Sequence, residues 1–429
     1  MDTVRYGSRG NGVLLLQLAL KREGSYRGEL DGLFGTRTLN GVRRFQSAHG
    51  LTPDGVAGAK TNAAAEPYLS GYIRVKLRPG DSFYRLAKRF GTRTEALVTA
   101  NPGLDPADLP VGAEITVPLG FPVVPTDAPF SSGLLGFIAE GLRARYPFIG
   151  VSEAGRSVLG KPITVFTVGR GDARVLVAAA HHANEWITST LTLDFLETYA
   201  AAYSAKASVE GRSAAALFGR VKLILVPAVD PDGVDLVNSA ISKKGFARAL
   251  SIAEGYPDIP FPQGWKANAE GIDLNLSYPA DWEEARRMKF AEGYTRPAPR
   301  DYVGSAPLEA PEARALYELT LREDPDMVIA YHTQGGEIYP RYKDIEPEGS
   351  AEIAKAMAEV SGYEVAEVPD ASSRAGYRDW FIDRFRRPGF TVEAGRGRNP
   401  LPLSSYGELR RDNFPLIVTA MEKAGRKKA

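Results

Sequence analysis

The sequence predicts a multidomain chain: a small α-helical bundle, a βααβ unit, and a large α/β domain whose mixed, mostly parallel sheet is flanked by helices. Three observations predict it. At 429 residues the chain exceeds what one ordinary hydrophobic core organises. Four prolines within Pro118–Pro129 (PLGFPVVPTDAP) mark a stiff linker without helix or strand character, residues 119–129. Beyond it, apolar runs such as Arg174–Ala180 (RVLVAAA) and Val221–Val229 (VKLILVPAV) alternate with helical stretches over residues 130–429, the pattern of buried parallel strands.

Residues 1–67 alternate short amphipathic helices with Asp-Gly turns. Leu14, Leu15 and Leu18 share a helical face. Asp31-Gly32-Leu33-Phe34-Gly35 then leads into a helix with Thr36 as its cap and Val42, Phe45 and Gln46 along it. Asp54-Gly55-Val56-Ala57-Gly58 repeats the turn chemistry. These motifs, in this order, resemble the peptidoglycan-binding helical domain of cell-wall hydrolases. Residues 72–118 run strand, helix, helix, strand. Asp81 or Ser82 is placed to cap the first helix, Asn101-Pro102 ends the second, and Leu109–Pro118 (LPVGAEITVP) closes the unit. The GDS, NP and closing-strand motifs resemble a LysM module, which implies binding to N-acetylglucosamine-containing glycan strands.

Composition narrows the chemistry. Hydrophobic residues at 44% and charged residues at 24% suit a globular protein, and a net charge of +1 argues against nucleic-acid binding driven by bulk electrostatics. The apolar runs are too short for membrane insertion. Residues 1–7 (MDTVRYG) show no apolar stretch behind a basic start, so no signal peptide is visible. That leaves a cytoplasmic or spore-associated protein, or one that reaches the cell wall after lysis or by non-standard export. Cysteine is absent, so any transition-metal site must be built from histidine and carboxylate, and the chain has four histidines.

Two of these, His181 and His182, directly follow the Arg174–Ala180 run, and Glu185 stands three residues after His182. This spacing lets an imidazole and a carboxylate meet one cation, although HxxE by itself is common. A second apolar run, Pro325–Tyr331 (PDMVIAY), ends in His332. Carboxyl ends of parallel strands are where α/β sheets place their sites. A His₂Glu set with an open fourth position suits catalytic zinc, one ion per chain.

With HHANEW, DPDG, Trp265-Lys266-Ala267-Asn268, Gly271–Asn275 (GIDLN), YHTQG and Phe390–Glu393 (FTVE) in order, the third segment resembles the zinc carboxypeptidases, and within them the bacterial γ-D-glutamyl-diamino-acid peptidases. The resemblance implies zinc-dependent hydrolysis of the γ-D-glutamyl–diaminopimelate bond in peptidoglycan stem peptides. It implies His182, Glu185 and His332 as metal ligands, Glu393 as general base, Lys266 as oxyanion partner and Asp273 as the hydrogen-bond acceptor of a ligand histidine. Asn275 corresponds to a substrate contact. Arg374, Arg378 and Tyr377, within Ser372–Trp380 (SSRAGYRDW), correspond to the loop that shapes the specificity pocket. Two departures matter: Leu276 stands where carboxypeptidases carry the arginine that clamps a terminal carboxylate, and Lys266 stands where the family carries its oxyanion-stabilising arginine. Alternative readings are a carboxypeptidase or amidase acting on other peptides, or an inactive wall-binding protein.

Overall fold

A computed structural model describes residues 1–368 and 374–425. The chain forms two compact units, Met1–Ile149 and Gly150–Ala429.

In the first unit, α1 (Asn11–Glu23), α2 (Thr36–Ala48) and α3 (Ala59–Ser70) form the helical bundle. Two buried glutamines organise its turns in the same way. Gln17 Nε2 donates to Asp31 Oδ1, Leu33 O and Thr38 Oγ1 at 2.8, 3.2 and 3.0 Å, while Gly32 N donates back to Gln17 Oε1 at 2.9 Å. Gln46 Nε2 donates to Asp54 Oδ1, Val56 O and Thr61 Oγ1 at 2.8, 3.1 and 3.1 Å, with Gly55 N returning 2.9 Å. Gly32 and Gly55 hold φ of 66° and 80°, the left-handed region that each Asp-Gly turn requires. The repeated turn chemistry is thus a repeated hydrogen-bond device. Thr36 is the first residue of α2, not its cap: Gly35 occupies the N-cap and no side chain bonds there.

The βααβ unit pairs β1 (Tyr72–Lys76) with β2 (Glu114–Pro118) antiparallel, enclosing α4 (Phe83–Phe90) and α5 (Thr94–Ala100). Of the two candidate caps, Ser82 receives the bond from Arg85 N, whereas Asp81 accepts from Arg78 N. Asn101 stitches the end of α5 to the closing strand. Its side chain donates to Leu97 O and Thr116 O and accepts from Thr116 N, each at 2.8 Å. Phe83, Leu86, Leu97, Ile115 and Val117 fill the core.

Residues 119–129 contain no helix or strand, as expected, yet they are not a free linker. Val123, Val124 and Ala128 are buried, and Arg22 of α1 donates to Pro122 O and Val123 O. The following helix, α6 (Ser132–Arg145), packs within the first unit. Buried Arg145 donates to Gly71 O and Leu119 O, tying α6 to the βααβ unit. The compact unit that contains the large sheet starts at Gly150.

The second unit is built on an eight-stranded mixed sheet. Its strands are β3 (Gly150–Arg156), β4 (Pro162–Val168), β5 (Ala173–Ala179), β8 (Val221–Val226), β9 (Met327–His332), β10 (Glu337–Tyr339), β11 (Glu364–Val365) and β12 (Gly389–Glu393). A separate two-residue hairpin supplies β6 (Ser208–Val209) and β7 (Arg212–Ser213). The strand order is β11-β10-β12-β9-β5-β8-β4-β3. The central run β12-β9-β5-β8 is parallel, and antiparallel pairings enter at β10–β12, β4–β8 and β3–β4. The central strands are buried almost throughout, as their unbroken Val/Ile/Leu/Ala content dictates. With β5, β9 and β12 adjacent and parallel, their carboxyl ends fall side by side. Among the described residues, no helix is long and apolar enough to cross a membrane.

Candidate active site

The three strand ends deliver the chemistry. After β5, Ala180 adopts φ 49°, a left-handed conformation that turns the chain out of the sheet and into the His181-His182 step. Thr188, in the first turn of α7 (Ile187–Ser204), holds this turn. Its Oγ1 accepts from Ala180 N at 3.1 Å and donates to Glu185 O at 2.7 Å, both buried. A 3₁₀ turn, Ala183–Glu185, brings Glu185 back beside His182. Strand β9 ends on His332, and Glu393 lies directly opposite it at the end of β12.

Three potential ligands converge. Donor atoms of His182, Glu185 and His332 all lie within 4.8 Å of one another. His182 Nδ1 is 3.0 Å from Glu185 Oε1, and His332 Nδ1 is 3.0 Å from Glu185 Oε2. The two Nδ1 atoms are 3.2 Å apart. His182 Nε2 faces Asp273 Oδ1 at 3.3 Å, which fixes Nε2 as the protonated nitrogen and turns the Nδ1 lone pair toward the shared point. Asp273 is itself held by Asp301 N at 3.1 Å and Asn275 N at 3.2 Å.

Charge shows what this cluster needs. Burial alone would suppress the His182 imidazolium, but Glu185 and Asp273 lift its pKa to about 9. Burial would raise the Glu185 carboxyl, yet the Lys266 ammonium and the His182 ring hold it well below the usual carboxylate range. Burial and the neighbouring Glu185 charge push Glu393 up to about 8. Two buried carboxylates, Glu185 and Asp273, with the half-buried Glu393 beside them, thus draw positive charge into a small volume. A divalent cation at the convergence of two imidazoles and one carboxylate satisfies that demand, and sulfur-free His₂Glu coordination suits zinc.

Lys266 reaches the same point, its Nζ 3.0 Å from Glu185 Oε1. Burial works against its charge, but Glu185 outweighs burial and the ammonium pKa is raised. Its position is set by Trp265, fully buried with its indole N–H on Ala267 O at 2.7 Å, and by Lys266 N on Pro299 O at 2.7 Å. The site opens into a cavity of about 900 Å³ lined by His182, His332, Lys266, Glu393, Asn275 and Arg378, among others.

The residues expected around the specificity pocket divide. Asn275 lines the cavity, its Oδ1 occupied by Tyr377 N at 3.1 Å, with its amide hydrogens left as donors. Arg378 lines it too, but it is buried and neutralised by adjacent Asp379, with a further bond to Tyr339 O. Tyr377 does not belong to the site. Its phenol is fully buried against Thr320 Oγ1 at 2.8 Å, and its ring stacks on His181, because the first turn of its helix faces the core. Arg374 does not line the cavity either. Its charge acts, after Lys343 and Tyr342, to lower the Asp281 carboxyl. Ser372 and Ser373 of the same stretch lie outside the described residues.

Asn399 joins the site without having been anticipated. Its Nδ2 donates to Thr333 O at 2.7 Å and approaches Glu185 Oε1 at 3.4 Å, and its Oδ1 accepts from Thr333 Oγ1 at 2.7 Å. The available signal was its place six residues after Glu393, in the loop leaving a catalytic strand. The Asp-Pro-Asp-Gly motif proves structural: Asp230 caps the helix Pro231–Val237 through Gly233 N at 2.8 Å.

A sequence profile of zinc carboxypeptidases matches residues 138–406. The chain belongs to the zinc carboxypeptidase family. A peptidoglycan binding domain profile matches residues 9–64 and a LysM domain profile residues 75–118. Gamma-D-glutamyl-L-diamino acid endopeptidase 1 of Lysinibacillus sphaericus is 40% identical over 280 residues, which are 65% of this chain and 69% of that protein. A spore cortex-lytic enzyme of Bacillus cereus is 47% identical over 60 residues, 14% of this chain and 23% of that enzyme. In architecture the chain is similar to bovine thrombin-activatable fibrinolysis inhibitor, with a TM-score of 0.53 and 17% identity over 69% of this chain and 97% of that one. Family membership makes zinc the cofactor, and His182, Glu185 and His332 are the residues placed to hold it.

Proposed function

We propose that this zinc metallopeptidase hydrolyses the γ-D-glutamyl–diaminopimelate bond of peptidoglycan stem peptides. The observation that carries the hydrolytic half is the convergence of His182, Glu185 and His332 with Glu393 one strand away in the same cavity. The substrate half is supported by the endopeptidase relative, by two wall-directed modules in the same chain, and by Leu276, which cannot clamp an ordinary C-terminal carboxylate. In this reading the helical and LysM regions hold glycan strands while the second unit cuts, so the site of action is the wall polymer or its fragments.

His182, Glu185 and His332 would hold the zinc, which when bound would supply Lewis acidity to the scissile carbonyl and to water. Glu393 takes the proton from the attacking water and passes it to the departing amine of the diamino acid. Burial and the Glu185 charge hold the Glu393 pKa at about 8, and a cation at the triad would offset the Glu185 charge and act in the lowering direction, towards the range where a general base works best. Lys266 places its ammonium beside the negative charge that develops on the carbonyl oxygen, as a point charge rather than a fork. Asn275 offers amide hydrogens to the leaving side. Asp273 keeps the His182 tautomer fixed.

Mass spectrometry of a purified stem tripeptide, L-Ala-γ-D-Glu-diaminopimelate, after incubation with the full chain tests the proposal. The expected products are L-Ala-D-Glu and free diaminopimelate, their summed mass greater by one water. Release of ordinary C-terminal residues from unrelated peptides, with the tripeptide left intact, would refute it.

A further inference from the structure

Leu276 removes the usual clamp on a terminal carboxylate, yet the cavity holds one further cation that no described residue engages. Five basic side chains line the cavity: Lys266, Lys289, Arg300, Arg378 and Arg398. Four are engaged. Lys266 lies 3.0 Å from Glu185, Lys289 2.9 Å from Glu292 and 3.0 Å from Asp301, Arg300 2.6 Å from Asp301, and Arg378 is paired with Asp379. Arg398 is exposed and has no hydrogen-bond or ion-pair partner among the described residues. Its neighbour Asn399 is fixed to Thr333, the residue after His332, by two bonds of 2.7 Å, so the loop that carries Arg398 is anchored at the metal-ligand cluster.

Two groups of residues line the cavity. Asn275, Leu276 and Gly376 are tied together by the Tyr377 N to Asn275 bond, and Asn275 N bonds Asp273, the partner of His182. Thr333, Arg398 and Asn399 are tied to the His332 and Glu185 side of the cluster through the bonds of Asn399. The proposed function sets the leaving amine at the Asn275 group, and the acyl residue is assigned to the Arg398 group. A γ-linked glutamyl residue differs there from any α-linked one: two methylenes from the carbonyl under attack, its α-carbon carries a free carboxylate. A guanidinium matches a carboxylate with two parallel hydrogen bonds. We propose that Arg398 is a specificity-determining residue that reads the free α-carboxylate of the γ-linked glutamyl residue on the acyl side of the scissile bond.

This inference rests on the γ-glutamyl reading above, and the test separates the two. The zinc-loaded full chain is given two tripeptides, one with the glutamyl α-carboxylate free and one with it converted to the carboxamide, and kcat/KM is measured for each. Wild type is expected to favour the carboxylate. In Arg398→Ala that preference should shrink by about tenfold or more, the scale of a charge-assisted bidentate contact, and Arg398→Lys should recover part of it. Equal wild-type rates on the two substrates, or an undiminished preference in Arg398→Ala, overturns the assignment to Arg398. Failure of wild type to cleave either tripeptide overturns the γ-glutamyl reading instead. Zinc content and the thermal unfolding midpoint of each variant show whether a lost preference reflects recognition or a damaged fold.

Discussion

Glu393 and Asp273 both sit within the cavity of the metal cluster, but they do different work and should fail differently. Glu393 is outside the ligand triad, so Glu393→Gln is expected to keep its zinc while kcat on the stem tripeptide falls by about 10²- to 10⁴-fold, the range of general acid–base catalysis. A variant that retains the wild-type rate would remove Glu393 from the mechanism. Asp273 faces His182 Nε2 at 3.3 Å, so Asp273→Ala should weaken zinc affinity by about 10- to 100-fold, measurable by competition with a chelating dye. Unchanged affinity would mean that the His182 tautomer is set elsewhere. At this scale the sequence was legible where residues follow a strand directly: HHANEW, His332 and Glu393 each stand at a strand's carboxyl end. It was illegible where a side chain's direction depends on packing. Tyr377 looked like a pocket phenol, but the helix it opens turns that face onto Thr320 and His181. Asn399 sits in a loop without periodicity, and only its bonds to Thr333 show what it does.

Among the elements, the helix Pro311–Glu323 carries a buried charge that ties three segments together. Glu312 accepts from Val158 N at 2.9 Å and from Asn268 Nδ2 at 3.1 Å, and burial raises its pKa to about 7. The unfolded chain titrates this group near the ordinary glutamate value, below the folded one. Its contribution is therefore fully present below about pH 4.5 and is lost as pH rises through about 7, a change on the order of 3 kcal/mol. Glu312→Gln, neutral at every pH, should flatten that part of the stability profile. Urea unfolding of both proteins at pH 5 and pH 8 checks this, and parallel profiles would contradict it. Element types were readable from local pattern, including the helices and the Asp-Gly turns of the first unit. The glutamine that each of those turns encloses was not, because Gln17 and Asp31 are 14 residues apart and nothing local announces their pairing. Thr36 has a cap's chemistry but not its place, because Gly35 takes the N-cap position and Thr36 opens the helix.

For the whole molecule, the apolar strand runs disclosed an α/β architecture, but not the order β12-β9-β5 that makes three distant segments neighbours. That adjacency is what assembles the site, since His182, Glu185, His332 and Glu393 span more than 200 residues of sequence and meet at one sheet edge. The proline-rich segment carries no helix or strand, and the two compact units divide after α6, between Ile149 and Gly150. Prolines report a lack of regular structure, whereas membership of α6 in the first unit depends on Arg145 finding the carbonyls of Gly71 and Leu119. The account as a whole stands on one zinc ion held by His182, Glu185 and His332. The most direct test strips the full chain of metal with a chelator, returns zinc in steps, and follows cleavage of the γ-D-glutamyl–diaminopimelate bond. Activity should be absent from the stripped protein, rise in proportion to added zinc, and saturate at one equivalent per chain. Undiminished cleavage by the stripped protein would contradict it.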